Sequence, residues 1–198
     1  MSTVPTIAPL PADHMYVQGL DKTPANHVAL SPISFLERAA LVFPDKVAIV
    51  HGELRQTWGQ TFARCRQLAS ALQKHGIGVG DTVAVMLPNT PPMVEAHFGV
   101  PMAGAVLNSL NTRLDANSIA FMLNHGQAKL VIVDSELAPV MREALAILKQ
   151  EHGQEPIVVE AHDEPFVAPD GISEVSYEAL VAQGDADFEV KLPEDEWQ

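Results

Sequence analysis

At 198 residues, with 47% apolar and 19% charged side chains, the chain has the composition of a core-forming globular protein and not of a disordered one; its length suffices for one sizeable domain and a small second. The net charge of −13 sits at one end: residues 1–150 hold 11 acidic and 11 basic side chains, whereas residues 151–198 set 14 acidic side chains against Lys191. No basic stripe is present to neutralise phosphates, so nucleic-acid binding is not expected, and the acidic end reads as a solvated surface.

Residues 1–20 carry no Lys or Arg and no sustained apolar run, against a secretory or mitochondrial leader. The first thirty residues, rich in proline and small side chains, read as an arm packed on the surface or partly disordered. Ser34 is expected to open a short helix with Phe35, Ala39 and Val42 on one face, closed by Pro44. Lys46 to Val50 and Leu54 to Trp58 read as the two strands of a hairpin turning at His51-Gly52-Glu53. Thr57-Trp58-Gly59-Gln60 fits a capping box. Behind it Phe62, Cys65, Leu68, Ala69 and Leu72 recur at helical spacing, with Arg64, Arg66, Gln67 and Lys74 on the exposed side. Gly76 supplies the left-handed stop.

Thr82 to Leu87 is a valine-rich run that reads as a strand buried on both faces. Thr90-Pro91 starts a helix that Pro101 kinks or ends. The stretch Phe98 to Leu107 is the most apolar, but Gly99, Pro101 and Gly104 interrupt it, far short of the roughly 20 residues that span a bilayer. Ala105 to Asn108 is a strand, Asp115 caps a helix through Leu123 that stops near Gly126, and Lys129 to Val133 is a strand. Glu136 to Gln150 is helical, Pro156 to Glu160 is the fourth strand, and a short helix lies near Ser176 to Ala182. This alternation predicts an α/β fold, a parallel doubly wound sheet flanked by helices with right-handed crossovers. The expected organisation is an arm over 1–33, an α/β subdomain over 34–160 and an acidic segment over 161–198.

Sites are sparse. Gly76-Ile77-Gly78-Val79-Gly80 follows a helix and precedes a strand, the reverse of a dinucleotide loop, and no Walker-type loop is present. The eight histidines show no metal-ligand spacing, so no metal site is expected. His97 and His125 read as structural histidines near the core. No G-x-S-x-G elbow supports a Ser/His/Asp triad, though spacing alone leaves one open. Cys65, the lone cysteine, falls on an apolar helix face as an inert thiol and suits a reducing compartment, hence a cytoplasmic expectation. Arg113 stands apart as the only basic residue between Lys74 and Lys129. It follows a strand in the loop Asn108 to Leu114, at the carboxyl edge where anionic ligands bind; the bland alternative is a salt bridge with Asp115.

The run TWGQTFARCRQLASALQKHGIGVGDTVAVMLPNTPPMVEAHFGVPMAGAVLNSLNTRL, Thr57 to Leu114, resembles the amino-terminal part of AMP-forming acyl-CoA synthetases of the adenylate-forming superfamily. IAFMLNHGQAKLVIVD, Ile119 to Asp134, continues the resemblance, and FLERAALVFPDKVAIVHG, Phe35 to Gly52, is similar to the family's opening. The resemblance implies ATP-dependent activation of a carboxylic acid, a medium- or long-chain fatty acid by the style of the middle region. An acyl-adenylate forms and coenzyme A then displaces AMP; ATP, Mg2+ and coenzyme A would serve the parent enzyme. Arg113 matches an arginine that in some relatives approaches the nucleotide end of coenzyme A.

In the family, a Ser/Thr/Gly-rich phosphate loop begins shortly after a segment like Pro193 to Gln198. The expectation is therefore a fragment with no catalytic residue of its own, inactive alone, binding none of these cofactors tightly and pairing as a homodimer through its amino-terminal region. Glu196-Trp197-Gln198 reads as the threshold of a strand. The alternative is a natural non-catalytic binding or assembly module.

Overall fold

Valine-rich strands alternating with amphipathic helices resolve, in the computed structural model, into a parallel sheet covered on both faces. The structure describes residues 11–163, 171–190, 192 and 193. They fall into a larger unit, Ser31–Leu192, and a smaller one to which residues 11–30 and Pro193 belong. In the smaller unit residues 11–30 are successive turns, closed by bonds such as Val17 N to His14 O at 2.8 Å and Thr23 N to the Asn26 side chain at 2.7 Å. The expectation for Glu196-Trp197-Gln198 lies outside the described residues.

The larger unit begins with α1 (Pro32–Val42), capped by Ser31, whose hydroxyl accepts from Ile33 N. The expected face is corrected here. The helix starts at Ser31 and not Ser34; Ile33 and Leu36 pack into the core as its buried stripe, and Phe35 and Val42 are left 64% and 54% exposed. The hairpin follows as β1 (Val47–His51) and β2 (Leu54–Thr57), paired antiparallel. Trp58 belongs to the next helix, α2 (Trp58–Lys74), where the capping box forms as its sequence predicts: Gln60 N donates to Thr57 Oγ1 at 3.3 Å and Thr57 N to Gln60 Oε1 at 2.9 Å. Cys65, Leu68, Ala69 and Leu72 are fully buried, and Gly76 takes φ 75° to end the turn, a conformation costly for a side chain with a Cβ.

The main sheet then assembles from β3 (Thr82–Met86), β4 (Val106–Ser109), β5 (Ala128–Asp134) and β6 (Ile157–Ala161), all parallel in the order β4-β3-β5-β6. The intervening helices are α3 (Pro91–Met102, with Pro101 in its last turn), α4 (Ala116–His125) and α5 (Ala138–His152), and α6 (Tyr177–Ala182) closes the described chain. Val83, Val85, Leu130, Ile132 and Val159 face a core shared with α1, α2, α3 and α6. Ala84, Met86, Val131 and Val133 face a second core under α4 and α5. A strand buried on both faces must be apolar at every position, which is why Thr82 to Leu87 reads without alternation.

The acidic end is not simply solvated where it is described. Arg66 Nε donates to the Phe188 carbonyl at 2.7 Å, Lys74 Nζ to the Gln183 carbonyl, and Arg64 to Glu178, so three basic side chains of α2 hold α6 and the segment behind it. A Cβ built on Gly184 would lie 1.8 Å from the Gln67 carbonyl oxygen, so only glycine lets the segment lie this close. Sequence separation hid these contacts; the basic face of α2 reads locally as a solvent face.

Candidate functional site

In an open parallel sheet, ligands gather outside the carboxyl ends of the strands, near the point where the connections diverge. Here β3 connects outward to β4, and the later strands β5 and β6 lie on its other side, so that point falls between β3 and β5. The loops that rim it are Leu87–Thr90, Leu110–Asp115, Asp134–Leu137 and, after β6, His162–Asp163.

Arg113 lies in the second of these loops and is exposed. Its backbone N–H donates to the Asn111 side chain at 2.9 Å, which fixes the turn. The salt bridge to Asp115 does not form, because both Asp115 oxygens are committed to the start of α4: Oδ1 accepts from Ser118 N and Oδ2 from the Ser118 hydroxyl. Those bonds hold the Asp115 carboxyl below its ordinary pKa. Among the described residues no carboxylate pairs with the Arg113 guanidinium, which is left free to fork onto an anion.

The loops after β5 and β6 carry groups the sequence did not single out. Ser135 is fully buried; its hydroxyl donates to the Ala161 carbonyl at 3.1 Å and, having one proton, accepts from His162 Nδ1 at 2.5 Å. That direction is wrong for a serine activated by a base. His51 of β1 pairs with Asp163 at 2.7 Å, joining the hairpin to the end of β6. These contacts are fasteners and do not form a triad.

Asp134, 2% exposed, accepts from Glu136 N at 2.9 Å. Burial, aided by the charges of Asp163 and Glu136, outweighs that bond and raises its carboxyl above 3.8. The folded chain thus keeps this proton to a higher pH than the unfolded chain, and ionisation costs stability as pH rises through the interval above 3.8. Asp134→Asn keeps the acceptor and removes the charge. It is expected to be more stable than the native chain above that interval and no more stable below it, which urea midpoints at about pH 7 and about pH 3 will check.

The unexpected charged group is Glu95, fully buried in α3. Arg64 Nε and Nη2 donate to its two oxygens at 2.5 and 3.1 Å, Gln56 Nε2 donates to Oε1 at 3.1 Å and the Tyr177 hydroxyl to Oε2 at 2.8 Å. Burial would lower the Arg64 pKa, but Glu178 and Glu95 outweigh it and hold the guanidinium above its ordinary value. Burial, with the Glu95 charge, raises both the Tyr177 phenol and the Cys65 thiol. Cys65 is the inert thiol its helical position predicts. Arg64 is corrected from the solvent face to this hub, and the hub ties β2, α2, α3 and α6 together.

His97 and His125 are corrected as well. Both are exposed: His97 Nδ1 bonds the Met93 carbonyl at 2.8 Å, and His125 stacks on Phe121. Among the described residues no three His, Cys, Asp or Glu side chains converge as metal ligands, and no helix is long and apolar enough to cross a membrane. Beside the carboxyl edge, a 340 Å³ recess opens between β1 and the start of α3, lined by Ile49, Val50, Trp58, Pro91, Val94 and Phe98. The edge therefore offers one free cation, an apolar recess and no assembled set of reacting groups among the described residues.

The family model of the AMP-binding enzymes matches residues 36–196. The chain belongs to that family. It is 48% identical over 192 residues to the acetate–CoA ligase CCL3 of Humulus lupulus, a match covering 92% of this chain and 34% of that protein. It is 42% identical over 191 residues to the peroxisomal acetate/butyrate–CoA ligase AAE7 of Arabidopsis thaliana, covering 92% and 33%. The crystal structure of the anthranilate CoA ligase AuaEII in complex with anthranoyl-AMP superposes with a TM-score of 0.71 at 21% identity, over 86% of this chain and 31% of that one, and shows the same fold. The chain thus spans about a third of the length of the curated relatives it matches.

Proposed function

We propose that this chain forms the amino-terminal part of an ATP-dependent acid–CoA ligase and acts as scaffold for one wall of its cleft. The observation that carries the reading is the family match over residues 36–196, on a fold whose carboxyl edge presents Arg113 unpaired. In this reading ATP and Mg2+ serve adenylate formation in the whole ligase, and Arg113 receives a phosphate of coenzyme A. The residues present fit one anionic group at Arg113; phosphate gripping and adenylation are assigned to the rest of the ligase. The acid is a small carboxylic acid: CCL3 and AAE7 are named for acetate and butyrate, and they favour a short chain over the medium or long fatty acid that the middle region suggests. The reading places the ligase in the cytoplasm or, as AAE7's name has it for that protein, in peroxisomes.

A chimera tests the reading: this chain replaces the matching third of CCL3, and acetate-dependent ligation is measured. Activity is expected to persist, and a folded but inactive chimera overturns the ligase reading. Within an active chimera, Arg113→Ala should raise KM for coenzyme A about tenfold with kcat little changed, the smaller end of what a charge-assisted hydrogen bond contributes, about 1.5–3 kcal/mol. An unchanged KM removes Arg113 from the site. The chain by itself is expected to show no acetate-dependent exchange of pyrophosphate into ATP.

A further inference from the structure

We propose that Ser135 is a positioning residue that fixes the tautomer of His162, and that His162 Nε2 accepts a hydrogen bond from an N–H group of coenzyme A. The choice of ligand, though not the tautomer, rests on the ligase reading. The Ser135 hydroxyl has one proton, and the Ala161 carbonyl at 3.1 Å takes it. His162 Nδ1, 2.5 Å from the same oxygen, must therefore bring its own proton. In the neutral ring that leaves Nε2 bare, with a lone pair to offer.

The two ends of this contact differ in their surroundings. Ser135 is fully buried where β5 ends, and its bond to Ala161 ties it to the end of β6. His162 is exposed, and among the described residues nothing bonds to Nε2. The imidazole is thus held from behind by a hydroxyl and open in front, on the carboxyl edge where ligands of such sheets gather. Protonation of the ring leaves the hold in place, because Nδ1 carries its proton in both states.

The bare nitrogen narrows the ligand. Phosphate and carboxylate oxygens are acceptors like Nε2, so neither the acid's carboxylate nor a phosphate satisfies it; a donor is required. Coenzyme A carries phosphates and neutral N–H groups, both amide and adenine amino, in one extended molecule. Arg113, assigned to one of its phosphates, lies on the same edge, beyond β4. His162 lies beyond β6, three strand spacings away in the order β4-β3-β5-β6, or about 14 Å. One cation for a phosphate and one bare nitrogen for a donor thus line a single edge. ATP shares only the amino group.

Two-bond proton–nitrogen correlation spectra of this chain at about pH 8, where an ordinary imidazole is neutral, should show His162 protonated at Nδ1 and bare at Nε2. Peaks absent from His162→Phe identify the ring. Ser135→Ala should release it to a mixture of tautomers. A proton on Nε2 in the native chain overturns the proposal. In the chimera with CCL3, His162→Phe should raise KM for coenzyme A about three- to tenfold, the worth of one neutral hydrogen bond, with KM for ATP and acetate unchanged. Ser135→Ala should raise it likewise and add nothing on top of His162→Phe, a coupling that a purely structural serine would not show. His162→Phe, at an exposed position, decides the matter if Ser135→Ala does not fold. Pantetheine in place of coenzyme A locates the donor: an effect that persists puts it on the amide arm, and one that vanishes puts it on the adenine. In an active chimera, an unchanged KM for coenzyme A, or a rise confined to ATP, overturns the contact while the ligase reading stands. A folded but inactive chimera overturns the ligase reading and the contact with it, and leaves the tautomer to the spectra.

Discussion

Replacing Glu95 with alanine is expected to destabilise the chain by about 3–5 kcal/mol, the range observed when one partner of a buried ion pair is removed. Three residues converge on this carboxylate with four hydrogen bonds, two from Arg64 and one each from Gln56 and Tyr177; Gln56 keeps a bond to the Thr61 hydroxyl. Arg64 retains Glu178, but that carboxylate is 67% exposed and screened by water. The Tyr177 hydroxyl is left buried with no acceptor, a further cost of about 1–3 kcal/mol that overlaps the first. Urea unfolding followed by tryptophan fluorescence and by circular dichroism gives the value, with Phe35→Ala, on an exposed face, as a control near zero. A loss below about 1 kcal/mol would show that the hub relaxes around its missing centre.

Gly184→Ala should release the segment that α2 holds. The new Cβ would meet a backbone carbonyl at 1.8 Å, and no rotamer change relieves a clash between two main-chain positions. The segment must lift from α2, breaking the bonds from Arg66 and Lys74 to its carbonyls. Overpacking typically costs about 1–3 kcal/mol and more where backbone cannot shift, but here the loss is local. Hydrogen exchange should show protection falling over residues 183–188 while amides of β3 and β5 keep theirs. Protection lost across the whole sheet would mean instead that the segment unfolds only with the core.

The sequence resolved the parallel sheet and most helix ends because those depend on local chemistry. Thr57 and Gln60 cap each other within four residues, Gly76 stops its own helix, and the short valine-rich run Thr82 to Leu87, bounded by Gly80-Asp81 and Pro88-Asn89, reads as a doubly covered strand. The resemblance carried by Thr57 to Leu114 likewise pointed to the family that the match over 36–196 establishes. What stayed hidden is tertiary. Arg64 reads as a solvent-face residue of α2 because its partner lies 31 residues away in α3. Glu95 itself sits on a helix whose other residues are mostly apolar, and that mismatch was the available signal for a buried charge. At the carboxyl edge, Arg113 was legible from its isolation in sequence, whereas Ser135, His162, His51 and Asp163 meet only through the order of the strands. Phe35 failed for a smaller reason: Phe35, Ala39 and Val42 form one apolar face and Ile33 and Leu36 another, and only packing selects the second.

Two of the contacts by which α2 grips its neighbour are made to main-chain oxygens. Arg66 and Lys74 read the carbonyls of Phe188 and Gln183, which every amino acid possesses, so the polypeptide they hold is free to drift in composition without losing its place. Glu189, exposed and outside these bonds, can change with little structural consequence, whereas Gly184, Arg66 and Lys74 cannot, and Asp185 and Asp187 add a turn bond at 2.8 Å and a contact of 3.9 Å to Arg66. Evolution can thus retune the charge of this acidic border, and whatever approaches it, while leaving the architecture beneath untouched.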